Sequence, residues 1–143
     1  MSNGLFSYPK PTNEAVLDYR KGSPERTEVL ATYKKMYGSP ITVPLYIGAE
    51  KIVTEKRAHM TPPHDHKHEL GTYSLAEKSH VKKAIEAALD ARNGWENMSF
   101  EHRASIFLKA ADLIAGPYRA KINAATMLAQ SKNIFQAEID AAC

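Results

Sequence analysis

"KAIEAALDARNGWENMSFEHRASIFLKAADLIAGPYRA" (residues 83–120) carries the strongest secondary-structure signal in the chain. Its apolar residues recur every three or four positions, which places them on one face of an α-helix. Ser99 is a favoured helix N-cap, and we interpret Gly94 as the end of the helix before it. Gly116 followed by Pro117 indicates that one helix stops and another begins. The stretch therefore predicts two complete helices and the start of a third.

Both complete helices have an apolar stripe that we predict to be buried. The stripe of the first consists of Val81, Ala84, Ile85, Ala88, Leu89 and Trp95. That of the second consists of Ile106, Phe107, Ala110, Leu113 and Ile114. "PYRAKINAATMLAQSKN" (117–133) and "IFQAEIDAAC" (134–143) predict two more helical segments. The last has no stop signal, so we expect a truncated chain.

The N-terminal third predicts an arm followed by helices. Residues 1–12 hold two prolines and a glycine and are interpreted as irregular. Residues 13–22 are predicted to form a short helix capped by Asn13. A second helix is predicted from the Ser23 cap, with Pro24 in its first turn, to a stop at Gly38.

The middle of the chain changes to a strand pattern. "ITVPLYIG" (41–48) is β-branched and aromatic, and its proline indicates an edge strand or a bulge. "KIVTEKR" (51–57) would return as the second strand of a hairpin, and "ELGTYSLA" (69–76) would be a third strand. We therefore predict an α+β fold with an arm and helices in 1–40, a β-hairpin and third strand in 41–76, and helices in 77–143.

Composition is that of one globular domain. The chain has 143 residues, of which 43% are hydrophobic and 24% charged. The net charge of +3 is spread along the chain without a basic stripe, so no nucleic-acid partner is expected. No apolar run approaches the ~18 residues of a membrane span, and no secretion signal is visible. The single cysteine, Cys143, excludes an internal disulfide, and a cytoplasmic protein is the simplest interpretation.

A histidine-rich segment is the first candidate for chemistry. "TPPHDHKHELGTY" (61–73) contains His64, His66 and His68, and His59 lies just upstream. Imidazoles at alternate positions of a strand share one face, and zinc prefers such ligands. The alternative is a polar loop, because the helical half offers no clear pair of additional ligands. Both interpretations stay open from the spacing alone.

Other chemistry is not visible in the sequence. The glycines form neither G-x-G-x-x-G nor G-x-x-x-x-G-K-[ST], so no phosphate loop is predicted. Glu138 and Asp140 are two apart on a helix and face different directions. Cys143 follows two alanines late in a helical segment, where nothing would lower the pKa of its thiol. We assign no catalytic, cofactor-binding or metal residue in this chain.

Several stretches together resemble the aldehyde dehydrogenase superfamily. "AIEAALDARNGW" (84–95) and "RASIFLKAADL" (103–113) are similar to its first long helices. "GSPER" (22–26), "FLKAADLIAGPYRA" (107–120) and "QAEIDAA" (136–142) resemble one member of that superfamily more closely. Pro63, Asp65, His66 and His68 also match a pattern seen in related dehydrogenases, where we expect them to shape a turn by bonding nearby backbone groups. The resemblance runs from about Gly22 to the end of the chain.

The resemblance implies an enzyme with an NAD-binding domain, a catalytic domain and a small β oligomerisation arm. The member indicated oxidises L-glutamate γ-semialdehyde to glutamate in proline catabolism, with a cysteine nucleophile and NAD as the hydride acceptor. None of the family's catalytic or cofactor-binding residues matches a position here, and Cys143 stands where the family has a small packing residue. Residues 77–143 would then be the first helices of the NAD-binding domain.

These expectations define two hypotheses. In the first, the chain is the N-terminal part of an NAD-dependent dehydrogenase, inactive alone, with the remainder of the enzyme and further copies as partners. Its compartment would be the cytoplasm for a bacterial source and the mitochondrial matrix for a processed eukaryotic one. In the second, the chain is a stand-alone metal-binding or scaffold domain that uses the loop from His59 to His68.

Overall fold

The computed structural model describes Lys10 and residues 12–141 as a set of helices with two small sheets. The helices are α1 (Pro24–Tyr37), α2 (Lys78–Asn97), α3 (Phe100–Ala115), α4 (Arg119–Gln130) and α5 (Ile134–Ala141). The strands are β1 (Ile41–Val43), β2 (Leu45–Ile47), β3 (Glu50–Ile52), β4 (Arg57–Met60) and β5 (Gly71–Ser74). The α+β prediction is confirmed. Most of the predicted irregular arm, and Cys143, lie outside the described residues.

The strands form two sheets, and this topology differs from the prediction. The hairpin of β2 and β3 is antiparallel, as expected. Residues 41–48 do not form one strand, because Pro44 has no N–H to donate and separates β1 from β2. β1 pairs in parallel with β5, and β5 pairs antiparallel with β4. The four-residue β4 was not predicted, since its polar sequence carries little strand signal.

Gly71 allows the parallel pairing of β1 with β5. Its φ of 136° lies in a region that side chains with a Cβ rarely adopt. A Cβ at this position would lie 1.9 Å from the carbonyl oxygen of Ile41, its register partner in β1. Only glycine lets the two backbones approach so closely.

Helix boundaries follow the local signals, with one exception. Ser23 caps α1 by accepting a hydrogen bond from the Arg26 amide, and Ser99 caps α3 through the His102 amide. Both caps were predicted. Gly94 does not end α2, which continues through it to Asn97. One glycine costs a helix only ~1 kcal/mol, too little to stop one of this length.

Residues 13–22 are not helical, which corrects the prediction. Residues 13–20 form neither helix nor strand, and a turn follows at Lys21 and Gly22. Tyr19 has a φ of 49°, uncommon for a residue with a side chain. Long-range hydrogen bonds, described below, override the weak local helix preference here.

The core lies where α1, α4 and the chain before α1 meet. Tyr19, Val29 and Ala124 are buried together there. Around them pack the partly buried residues Leu17, Leu30, Tyr33, Met36, Ala120, Met127 and Ile134. Val29, Leu30, Tyr33 and Met36 all lie on α1, so this helix turns one side towards the core.

The predicted burial of the apolar stripes on α2 and α3 is wrong for this chain. Both helices are described throughout, and neither contains a buried residue. Leu89 is 60% exposed and Phe107 66%. The periodicity identified the helix faces correctly, but a face is buried only where another element covers it.

Candidate functional site

The histidine segment is anchored to α1 through Tyr37. The Tyr37 hydroxyl donates a hydrogen bond of 2.7 Å to Asp65 Oδ2. His68 Nε2 lies 2.6 Å from the Tyr37 carbonyl oxygen, and the imidazole stacks on the phenol ring with centroids 3.6 Å apart. Asp65 Oδ1 also accepts from the Lys67 amide at 3.3 Å. The expectation that Asp65 bonds a nearby backbone group is confirmed, whereas His68 contacts a backbone carbonyl on α1 that is 31 residues away in the chain.

The bond between Asp65 and Tyr37 perturbs both groups. It is the main reason that the pKa of Asp65 lies below its ordinary value. The same bond raises the pKa of Tyr37, because the phenol donates to a carboxylate and would lose that bond on ionisation. The ionised carboxylate is therefore the form that fastens the loop to α1.

His64 connects two helices. Its Nδ1 lies 2.8 Å from Ser131 Oγ, just after α4, and its Nε2 lies 3.1 Å from the Tyr33 hydroxyl on α1. Ser131 has a left-handed φ of 56°, and the conformation directs its hydroxyl to the imidazole. The sequence did not indicate this bridge, because Ser131 is 67 residues away in the chain.

The histidines do not converge. His59 pairs with Glu69 at 3.1 Å on the surface, and His66 is exposed. Within residues 12–141 and Lys10, no group of three or more histidine, cysteine, aspartate or glutamate side chains is placed to hold a metal ion. The side chains that could have been ligands instead contact α1, the end of α4 and the loop itself.

A buried carboxylate holds three segments together. Glu138 on α5 is fully buried. Its oxygens accept hydrogen bonds from the Tyr19 hydroxyl at 2.6 Å, the Asn123 amide at 2.7 Å and the Leu17 backbone N–H at 3.2 Å. The Arg119 guanidinium forms an ion pair with it, with Nε 3.0 Å from Oε1. We call Glu138 with these four partners the Glu138 cluster.

The contacts in the Glu138 cluster lower the pKa of Glu138 and raise the pKa of Tyr19. Burial alone would raise the pKa of Glu138, but hydrogen bonds from Arg119, Tyr19 and Asn123 outweigh it and hold the pKa at about 2. Burial and the bond to Glu138 raise the pKa of Tyr19 to about 12. The carboxylate is therefore charged and the phenol neutral at physiological pH.

The sequence showed only part of this cluster. The expectation that Glu138 and Asp140 face different directions is confirmed, since Glu138 is buried and Asp140 is exposed. Burial of Glu138 was not foreseen, because an acidic residue is seldom buried without a partner. Its partner Arg119 is 19 residues away and Tyr19 is 119 away, so no local spacing reveals them.

An apolar groove of about 570 Å³ lies between α1, α4 and the three-stranded sheet. Met36, Met60, Leu70 and Leu128 line it, with Lys35 and Lys121 among the other lining residues. It presents mostly aliphatic surface and no converging set of catalytic side chains. Together with the exposed stripes on α2 and α3, it is surface suited to packing against further protein.

The first turns of the helices do not form a dinucleotide site. A pyrophosphate is usually held by free backbone N–H groups at a helix N-terminus after a glycine-rich turn. Here Ser23 and Ser99 occupy N–H groups of α1 and α3, and Asn133 accepts from the Gln136 amide at 2.9 Å in α5. No described helix follows a glycine-rich turn. The described residues thus do not fit NAD.

No described helix is both long and apolar enough to cross a membrane.

Comparison with known proteins identifies the class. The sequence model that describes the aldehyde dehydrogenase family matches residues 52–142 of this chain. The match begins at Ile52, the last residue of β3, and covers β4, β5 and all helices from α2 to α5. The chain belongs to the aldehyde dehydrogenase family.

The relatives are more particular than the family. A delta-1-pyrroline-5-carboxylate dehydrogenase of Agaricus bisporus is 46% identical over 138 residues, which are 96% of this chain and 25% of that protein. The mitochondrial enzyme of that name from Homo sapiens is 44% identical over 133 residues, 93% of this chain and 24% of that protein. This chain therefore spans about a quarter of the length of these relatives.

Solved structures agree with the fold. The Delta-pyrroline-5-carboxylate dehydrogenase of Mycobacterium tuberculosis bound with NAD has a TM-score of 0.96 and 43% identity, over 99% of this chain and 27% of that one. A 1-pyrroline-5-carboxylate dehydrogenase from Thermus with bound NAD has a TM-score of 0.87 and 26% identity, over 96% of this chain and 26% of that one. The comparisons give no support to a stand-alone metal-binding domain.

Proposed function

We propose that this chain is the N-terminal part of an NAD-dependent dehydrogenase that oxidises L-glutamate γ-semialdehyde, formed from 1-pyrroline-5-carboxylate, to glutamate. The observation that carries the proposal is the near-complete coverage of this chain by relatives of that name, at 46% and 44% identity. The cofactor follows from solved relatives that contain NAD.

The chain's own contribution is a scaffold. In this proposal the catalytic and cofactor-binding residues lie in the other three-quarters of the enzyme. Residues 1–40 would be the arm and first helix, 41–76 the small β unit, and 77–143 the first helices of the NAD-binding domain. The exposed stripes on α2 and α3 would pack against the remainder of the enzyme.

Assembly and compartment follow the same reasoning. The resemblance to the aldehyde dehydrogenases implies a small β oligomerisation arm, so the enzyme would be a homo-oligomer. A bacterial source would place it in the cytoplasm. A eukaryotic source would place it in the mitochondrial matrix, in keeping with the mitochondrial human relative.

A chimera tests the proposal. Residues 1–143 would replace the matching N-terminal quarter of the Mycobacterium tuberculosis dehydrogenase. With NAD and 1-pyrroline-5-carboxylate, we expect the chimera to produce NADH at a rate within about tenfold of the parent. The unfused 143-residue chain is the matched control and should produce none.

Two outcomes would contradict the proposal. One is a folded chimera that oxidises short aliphatic aldehydes but not the semialdehyde. The other is NADH production by the unfused chain, which would mean that it contains a catalytic site of its own.

A further inference from the structure

We propose that residues 15–19 form a strap across α4 and α5, and that the Glu138 carboxylate is the latch that keeps the strap closed. The strap is the irregular segment before α1 that brings Tyr19 into the core. The proposal concerns this chain's own architecture and does not depend on its enzymatic assignment.

The strap is fastened at three successive alternate residues. The Ala15 carbonyl accepts a hydrogen bond of 2.6 Å from Arg119 Nη2. The Leu17 N–H and the Tyr19 hydroxyl both donate to Glu138. Two of the three contacts are made by the backbone, at Ala15 and Leu17, and the third by the Tyr19 side chain. Arg119 and Glu138 also bind each other, so a single ion pair joins α4, α5 and the strap.

The strap has little else to hold it. Between residues 12 and 20, only Leu17 and Tyr19 are not exposed. The segment belongs to neither sheet, so no ladder of backbone hydrogen bonds fixes it. Among the described residues, its attachment depends on the Glu138 cluster, on the hydrogen bond from Arg26 to the Tyr19 carbonyl, and on packing of Leu17 and of the Tyr19 ring, which is 5% exposed.

Tyr19 also stores strain in the closed strap. Its φ of 49° is unfavourable for a residue with a Cβ, and such conformations persist only where the surroundings impose them. The Arg26 guanidinium donates to the Tyr19 carbonyl at 3.1 Å and helps to hold it. Releasing the phenol hydroxyl from Glu138 lets this residue relax, so the strap has a distinct open state.

Hydrogen exchange of single amides in the full 143-residue chain tests the latch. The Leu17 amide reports on the strap, and the Ala124 amide reports on the core of α4. In Glu138→Gln, we expect Leu17 to exchange about tenfold faster or more, because a charge-assisted hydrogen bond is lost. Ala124 should change by less than about twofold, because the strap opens without global unfolding.

Two further variants keep the test decisive. Asp140→Asn removes an exposed carboxylate from the same helix, one that pairs with Lys132, and should leave Leu17 unchanged. Tyr19→Phe keeps the latch charge and the buried ring but removes one donor, so Leu17 should exchange several-fold faster. If Glu138→Gln does not fold, the Leu17 exchange rate in Tyr19→Phe tests the latch by itself.

Two results would overturn the proposal. One is an unchanged Leu17 rate in Tyr19→Phe and, where it folds, in Glu138→Gln. The other is equal acceleration of Leu17 and Ala124, which would make Glu138 part of the general core and not a latch on the strap.

Discussion

At the residue scale, this chain is held together by a few long-range polar contacts. His64 bridges Tyr33 and Ser131, and Tyr37 fastens Asp65 to α1. Inside the protein, Glu138 joins distant segments in the same way by binding Tyr19 and Arg119. A buried charge that loses its partner is costly, so each member of the Glu138 cluster requires the others. The contacts at Asp65 are more exposed and therefore depend more on solvent conditions.

The carboxyl of Asp65 should report directly on its bond to Tyr37. In Tyr37→Phe we expect its pKa to rise towards the ordinary value of 3.8, because the phenol donor is its main source of stabilisation. The folded-state pKa is lowered, so this bond stabilises the loop fully above pH 3.8 and less as pH falls below it. Carboxyl NMR titration measures the shift.

Tyr33→Phe is the matched control for that titration. Tyr33 lies on the same helix and stacks near Tyr37, but its hydroxyl contacts His64 and not Asp65. The Asp65 titration should be unchanged in this variant. A pKa that stays low in Tyr37→Phe would show that the loop's backbone amides, not the phenol, stabilise the carboxylate.

Two glycine substitutions should act in opposite directions. Gly71→Ala places a Cβ against the Ile41 carbonyl and should destabilise the chain by about 3 kcal/mol or more, from backbone strain and overpacking. Gly94→Ala meets open space within α2 and should stabilise that helix by about 0.5–1 kcal/mol. Chemical denaturation and helix content by circular dichroism measure the two effects. Equal effects would mean that β1 and β5 are not closely paired.

At the element scale, local sequence signals predict where helices begin better than they predict which residues are buried. The serine caps of α1 and α3 were predicted from sequence because a cap depends on neighbouring residues only. The prediction of a helix over the strap was wrong because the conformation of the strap depends on Glu138, about 120 residues later in the chain. β4 was missed because its polar sequence carries little strand signal, and the parallel pairing of β1 with β5 was missed because a strand's own sequence does not specify its partner.

Loss of the Ser23 cap should destabilise a larger part of the chain than loss of the Ser99 cap. Ser23→Ala and Ser99→Ala each remove one capping bond, worth ~1 kcal/mol. Because α1 contributes Val29 to the core, Ser23→Ala should lower the stability of the whole helical core. Ser99→Ala should increase hydrogen exchange only in the first turn of α3, which buries no residue. Exchange that spreads to α4 would show stronger coupling than the contacts indicate.

At the scale of the whole molecule, the described residues leave large apolar side chains exposed on two helices. Leu89 on α2 and Phe107 on α3 are 60% and 66% exposed, and the rings of Trp95 and Phe107 meet edge to face at 6.3 Å. Surface of this kind marks a contact with other protein. The quarter-length match to the relatives supports the proposal that the contact is made by the rest of the enzyme.

Without that cover, we expect the chain to associate with copies of itself. Light scattering should show a mass above that of one 15.9 kDa chain, rising with concentration. The double variant Leu89→Glu, Phe107→Glu should shift it towards the monomer, because charges on the stripes are costly to bury. Lys82→Glu and Lys109→Glu, which alter charge on the same helices, are the control. A wild-type monomer at all concentrations would contradict the prediction.

The amino-acid sequence alone established the existence of helices α1 to α5, the α1 and α3 caps, the hairpin and the resemblance to the aldehyde dehydrogenases. Those features rest on periodicity, on capping and on short motifs, all of which act between residues close in the chain. Tertiary structure alone decided that Glu138 is buried, that the histidines serve as anchors and that the stripes on α2 and α3 stay uncovered. The contact between His64 and Ser131 spans 67 residues, and that between Tyr19 and Glu138 spans 119. Such contacts depend on which elements pack together in three dimensions, and patterns among neighbouring residues do not specify that packing.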